Sequence, residues 1–488
     1  MRHVSAFMVS ELLILGRHSR ASGNPSPDSC SRARAKELDP RFREDDETGK
    51  NRGLRLPALL KPGAGATLLL LAAPAWAAAL TVDKGDTAWM MTSTLLVLMM
   101  IVPGLALFYG GLTRAKNMLS TMTQIGAVAA LAMLIWVGWG YAMAFGDGNP
   151  IVGGLAKAFL RGVTPESTAP TFTPGVAIPE YVFICFQMSF AAITVALVLG
   201  SVVERMKFSA VLLFGAIWLT IVYFPIAHMV WAANGLFFTQ GALDFAGGTV
   251  VHVNAGVSAL VACLILGRRI GYPAERIVPH SLTLTGVGTG LLWVGWFGFN
   301  AGSALEANAS AALAMLNTLV APAAAGLIWM LVERLNGHKG SALGFCSGII
   351  AGLVAVTPAA GNSGPFGAIV LGAIASVVCF YAVSVVKPRL GYDDALDAFG
   401  VHGVGGMIGA IGTGIVYSPA LGGPGKPGFP IGHQLLVQLE TVATTIAWAA
   451  VGTVIAVSIA KAVTGLRVAP EVEREGLDLG EHGERAYN

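Results

Sequence analysis

Eleven apolar stretches follow one another along this 488-residue chain, and each is long enough to cross a bilayer as a helix, which takes roughly 17 to 25 residues. They lie near residues 88–110, 118–146, 178–202, 208–231, 246–267, 280–302, 310–332, 341–358, 364–386, 399–417 and 433–464. Lipid offers no hydrogen-bond partner to backbone N–H and C=O groups, so segments of this length must bond internally as helices. The pattern predicts an all-α integral membrane protein with eleven transmembrane helices. Composition agrees: 12% of residues are charged, against about 25% in soluble domains, and twenty of the charged side chains fall within residues 1–61.

The two ends of the chain are polar. Residues 1–61 hold the charge run 41–47 and no periodic apolar face, and are expected to be a disordered leader or the product of a mis-assigned start. Basic residues Arg52, Arg55 and Lys61, a short apolar stretch at 64–73 and Ala75-Trp76-Ala77 follow the three-part order of a secretory signal peptide, so residues 62–79 are expected to be one, cleaved after Ala77 or Ala79. Residues 80–464 form the membrane domain and 465–488 a tail. Loops after the odd-numbered spans hold eleven Lys and Arg, among them Arg114, Arg205, Arg269, Arg334 and Lys387, whereas the even-numbered loops hold three. Basic loops stay on the cytoplasmic side, which predicts the N-terminus outside and the tail inside.

Several functions are disfavoured. A net charge of +3 is too small for a nucleic-acid footprint. Four of the five cysteines sit within apolar runs without C-x-x-C pairing, as small buried hydrophobes. No phosphate-binding Gly-x-x-x-x-Gly-Lys-[Ser/Thr] loop and no His-Glu-x-x-His occur, and no nucleophile and base pair is evident, so the chain reads as neither a pump, a zinc protease nor another enzyme, and no cofactor or metal is expected.

Ionisable groups inside a span are functional-site candidates. His252 in span 5 and His402 in span 10 stand out, with Asp244 and Asp397 just upstream. An odd number of crossings separates the two spans, so their helices run in opposite directions. That is the layout of an inverted repeat, spans 1–5 against 6–10 plus an eleventh helix, with the site at the repeat interface. Facing imidazoles offer a lone pair and an N–H without fixed charge, which suits a small guest such as ammonia or water. His228, His280, Glu440 and Lys461 lie towards span ends, where side chains are expected to reach the interface.

Near the outer end of the derived topology, Phe186 and Phe190 of span 3, Trp231 of span 4, and Phe299 and Ser303 of span 6 converge. Phe186/Phe190 and Phe299/Ser303 are i, i+4 pairs, each on one helix face. An aromatic mouth with a hydroxyl acceptor can hold a small cation by cation–π attraction and a hydrogen bond.

The strings Phe108-Tyr-Gly-Gly-Leu-Thr-Arg-Ala-Lys-Asn117, Asp244-Phe-Ala-Gly-Gly-Thr-Val-Val-His252, Gly295-Trp-Phe-Gly-Phe-Asn-Ala-Gly-Ser303 and Phe399-Gly-Val-His402-Gly closely resemble the ammonium transporter family (Amt/Mep/Rh), on its bacterial Amt branch. The resemblance implies a homotrimer with one pore per subunit, in the bacterial plasma (inner) membrane. It implies an ammonium recruitment site at Phe186, Phe190, Trp231 and Ser303, a phenyl gate at Phe190 and Phe299, and twin pore histidines at His252 and His402. Asp244 matches an acid that orders the mouth and supports deprotonation, and Thr357 matches a residue near the polar lining. Methylammonium is a candidate second substrate, and a PII-type nitrogen regulatory protein a candidate partner at the cytoplasmic face. Trp231 favours the Amt branch over a gas channel of the Rh type. The rival reading is an ammonium sensor that signals through its tail.

Overall fold

The computed structural model describes residues 80–487, and the leader and signal-peptide expectations lie outside them. Among the described residues, eleven helices are long and apolar enough to cross a membrane: α1 Lys84–Leu112, α2 Ala115–Phe145, α3 Glu180–Leu199, α4 Phe208–Thr239, α5 Gly248–Leu266, α6 Leu282–Gly302, α7 Ala309–Leu335, α8 Ala342–Ala359, α9 Pro365–Leu390, α10 Phe399–Val416 and α11 Ile431–Thr464. These match the eleven stretches read from hydropathy. The tail carries two short helices, α12 Pro470–Glu475 and α13 Leu477–His482. A small sheet joins β1 Thr81–Val82, β2 Thr168–Pro170 and β3 Val176–Pro179 in the order β1-β3-β2.

Glycine fixes how closely α5 and α10 cross. A Cβ on Gly256 would stand 2.2 Å from the Gly403 nitrogen, and one on Gly406 would stand 2.9 Å from the Val253 nitrogen. Without side chains at these points the two backbones touch, which in lipid is how close contact is gained. Gly256 and Gly406 each lie four residues after a histidine, His252 and His402, so the crossing brings both rings to the centre of the contact. Both histidines sit in a π-helical turn that opens their span, Gly248–Val253 in α5 and Phe399–Gly403 in α10.

The acids upstream correct one expectation. Asp244 accepts from the N–H groups of Gly247, Gly248, Thr249 and Val250, capping the start of α5. Its counterpart at α10 is Asp394, which accepts from Ala398 and Phe399. Asp397, the acid singled out from the sequence, instead pairs with Lys387 at 2.6 Å and takes a left-handed backbone conformation with φ of 61°. The physical reason is local geometry: the left-handed turn at Asp397 and its ion pair with Lys387 turn its carboxylate away from the helix start, which Asp394 reaches instead. Asp244 and Asp394 each precede their histidine by eight residues.

One end of the bundle is knitted by charge. Arg269 reaches Glu204 at 2.9 Å and Asp393 at 2.7 Å, and Arg114 reaches Glu204 at 3.1 Å. Burial would raise both carboxyls; Arg269 at both, with Arg114 at Glu204, outweighs it and holds them below the usual carboxylate range. The tail closes over this end. Glu473 binds the Arg467 guanidinium and accepts from the Ile270 N–H, Asp478 caps α2 at Leu119 and Ser120, and Glu481 accepts from the Phe208 N–H at the start of α4.

Of the four ionisable groups expected near span ends, Glu440 and Lys461 are exposed, and His280 bonds the Thr113 carbonyl and the Tyr487 hydroxyl at the tail end. His228 differs. It is 0% exposed, because both of its nitrogens are turned inward to backbone carbonyls rather than out to an interface.

Candidate functional site

At the end opposite the tail, α3, α4 and α6 bring their aromatic rings together. Phe186 packs edge-on against Phe190, with ring centroids 4.9 Å apart and planes at 61°, and Phe190 meets Trp231 edge-on at 5.7 Å. Phe190 and Phe299 are stacked at 4.2 Å with planes 18° apart. The spacing that puts Phe299 one turn from Ser303 also lets the Ser303 hydroxyl donate to the Phe299 carbonyl at 2.8 Å, which leaves its oxygen lone pairs available as acceptors. Trp231, at the end of the main helix of α4, donates its indole N–H to the Asp244 carbonyl at 3.0 Å. Burial pushes the Asp244 carboxyl up, against the backbone amides that it accepts from, which pull it down.

Beneath the stacked rings lies a narrow cavity of about 10 Å³, roughly the room for one water-sized molecule. Its walls are Phe299, Trp296, apolar side chains such as Ile193, Leu197 and Leu292, and the two histidines, with no charged group. His252 and His402 stack with centroids 5.3 Å apart and meet through their Nδ1 atoms at 3.3 Å. A contact between two Nδ1 atoms requires one ring to donate and the other to accept, so the pair shares one hydrogen there. His252 Nε2 is buried with no hydrogen-bond partner, a polar atom open to a guest in the cavity. Beyond His402 a second cavity of about 430 Å³ opens towards the tail end, lined by polar groups that include Tyr109, Glu275, Lys387 and Asp397.

Most of the residues chosen from the sequence thus fall along one line: Phe186, Phe190, Trp231 and Ser303 at the mouth, Phe299 beside Phe190, then His252 and His402. Thr357 does not line the narrow cavity. Its hydroxyl donates to the Leu353 carbonyl and accepts from the Trp296 indole N–H at 3.0 Å, and Trp296 stacks on His252 at 5.5 Å, so Thr357 bears on the histidine through a ring. Trp296 and Asp394 went unselected in the sequence. Trp296 stands three residues before Phe299 on α6, and the eight-residue spacing shared by the two Asp–His pairs would have pointed to Asp394.

The geometry defines a multi-pass membrane protein with a small apolar cavity between an aromatic mouth and a polar vestibule. A sequence profile described as the Ammonium Transporter Family matches residues 88–487. An ammonium transporter of Aquifex aeolicus is 47% identical over 432 residues, covering 87% of this chain and 98% of the relative. Two solved structures share the architecture: Mep2 of Saccharomyces cerevisiae, with a TM-score of 0.71 and 35% identity over 80% of this chain and 88% of that one, and a protein described as a sensor Amt protein, with a TM-score of 0.74 and 28% identity over 82% and 98%. The chain belongs to the ammonium transporter family.

Proposed function

We propose that the chain takes up ammonium across the bacterial plasma membrane by stripping it to ammonia at the aromatic mouth and passing ammonia through the narrow cavity. The observation that carries this reading is an uncharged passage whose polar lining is a pair of stacked histidines, reached past the stacked rings of Phe190 and Phe299. A cation docks against Trp231 with the Ser303 oxygen accepting one of its N–H groups, while Phe186 and Phe190 complete the aromatic wall. An ion cannot enter a passage without compensating charge, so the proton must pass to solvent water at the mouth before the guest moves on. Asp244 supports that step by ordering the mouth: its carboxylate holds the first turn of α5, and its carbonyl holds Trp231.

Ammonia then crosses between the Phe190 and Phe299 rings when these part, and meets His252 Nε2 and the shared hydrogen of the histidine pair. It regains a proton in the wide vestibule. Potassium has no proton to give up and no hydrogen bond to donate, which gives the selectivity. The basic loops support an inside tail, and the resemblance supports a homotrimer, methylammonium as a second substrate and a PII-type protein at the cytoplasmic face. Relatives named as transporters favour transport over the sensor reading. The test replaces His252 and His402 together by Leu in reconstituted protein. The expected result is loss of ammonium-dependent transport with assembly retained; wild-type rate and selectivity in that variant would make the pair structural and overturn the mechanism.

A further inference from the structure

His228 belongs to no part of the route just described, yet it is fully buried and both of its ring nitrogens are engaged. Nδ1 lies 3.0 Å from the Ala144 carbonyl and Nε2 lies 2.8 Å from the Asn149 carbonyl. Ala144 is in the last turn of α2, where carbonyls have no partner within the helix. Asn149 sits in the following loop, which folds tightly back: Gly153 donates to the Met143 carbonyl at 2.7 Å, and the Asn149 side chain accepts from Ile151 and Val152. A flat ring with a nitrogen on either edge spans the gap between the two carbonyls: with one N–H it donates to one of them, and only with an N–H on both nitrogens does it donate to both. An ionised carboxylate could donate to neither carbonyl, a hydroxyl is too short to reach across the gap, and an apolar side chain would leave both unpaired.

The bridge ends beside the mouth. Trp231 is three residues beyond His228, near the end of the same short helix, Phe224–Trp231. The segment after it is held to the same loop, since Leu236 donates to the Pro150 carbonyl at 2.9 Å and Asn234 to the Gly148 carbonyl at 3.3 Å. There is no slack at this junction: a Cβ on Gly235 would lie 2.1 Å from the His228 carbonyl oxygen. The Trp231 indole in turn spans the mouth, edge-on to Phe190 and bonded to the Asp244 carbonyl.

We propose that His228 is a positioning residue for ammonium capture: by bridging Ala144 and Asn149 it locks the loop after α2 onto the end of α4 and so sets Trp231 against Phe190 and Asp244. The inference rests on the transport reading above. It acts on capture and leaves the later passage alone, so it separates the half-saturating concentration from the maximal rate.

The test measures ammonium-dependent current or internal pH in proteoliposomes for wild type, His228→Leu, His228→Gln, Trp231→Leu and the His228→Leu/Trp231→Leu pair. His228→Leu is expected to raise the half-saturating ammonium concentration by about fivefold, the scale of one lost hydrogen bond, with maximal rate kept. His228→Gln, which keeps an amide donor, is expected to raise it less. The double variant is expected to match Trp231→Leu alone, because both changes act through one ring. A lowered maximal rate with unchanged half-saturation, or a full additive effect in the double variant, would overturn the proposal. If His228→Leu fails to assemble, His228→Gln decides, and unchanged half-saturation there overturns it. A wild type with no ammonium response overturns the transport reading and this inference together, whereas a responding wild type with an unaltered His228→Leu overturns the inference alone.

Discussion

His252 and His402 stack and meet through Nδ1, where one shared hydrogen satisfies both, while the His252 Nε2 is left without a partner. The His252 ring is backed by Trp296, which stacks on it and whose indole N–H is in turn held by Thr357. Thr357→Val keeps the shape and removes the acceptor, leaving a buried indole N–H unpaired. It is expected to cost about 1 to 3 kcal/mol, read as a lower midpoint in thermal unfolding of purified protein. At the mouth, Trp231→Leu removes the largest aromatic face and is expected to weaken ammonium capture roughly tenfold, the scale of a cation–π contact of about 1 to 2 kcal/mol, while leaving assembly intact. A concentration series of transport rates checks it, and unchanged capture would take Trp231 out of the site.

Each of the two crossing helices, α5 and α10, repeats one short grammar: an acid, a histidine eight residues later, and a glycine four residues after that, as Asp244, His252 and Gly256 and as Asp394, His402 and Gly406. The acid fastens the opening turn, the histidine meets its partner, and the glycine lets the backbones touch. Asp394→Asn weakens the charge-assisted bonds to Ala398 and Phe399 and is expected to cost about 1.5 to 3 kcal/mol, whereas Asp397→Asn, on a partly exposed pair, is expected to cost under about 1 kcal/mol. Chemical unfolding of both variants tests the order, and a larger loss at Asp397 would contradict the assignment. Gly256→Ala must push apart backbones that now touch and is expected to disrupt the histidine contact. The spans and both histidines were legible in the sequence because apolar length and a buried imidazole announce themselves one residue at a time. The right acid was not, because capping depends on which backbone N–H groups the helix start exposes, and the role of His228 was not, because its two carbonyl partners come from the end of another span and the loop after it.

Across the described residues, a small cavity without charged lining lies between two differently built ends: an aromatic cluster fastened by backbone bonds, and a polar end fastened by buried ion pairs under a docked tail. The clamp of Arg269 with Glu204 and Asp393 has a pH signature. Both carboxyls lie below their usual range when folded, so their stabilisation is present in full above about pH 4 and is lost as the pH falls through the depressed folded values. Stability between about pH 5 and 7 should therefore be insensitive to this cluster and should drop below about pH 4, less steeply in Glu204→Gln, as thermal unfolding across pH would show. The tail's docking was not legible, since Glu473, Asp478 and Glu481 read as ordinary solvated acids until the helix starts they accept from are in place. The central claim is that ammonium, and not a like-sized ion, gains passage by giving up its proton. The most direct test follows current and internal pH together in proteoliposomes of the purified protein, with an ammonium pulse and a potassium pulse in turn. A response to ammonium, as current or as alkalinisation inside, with none to potassium is the predicted result; equal currents for both ions would contradict the account.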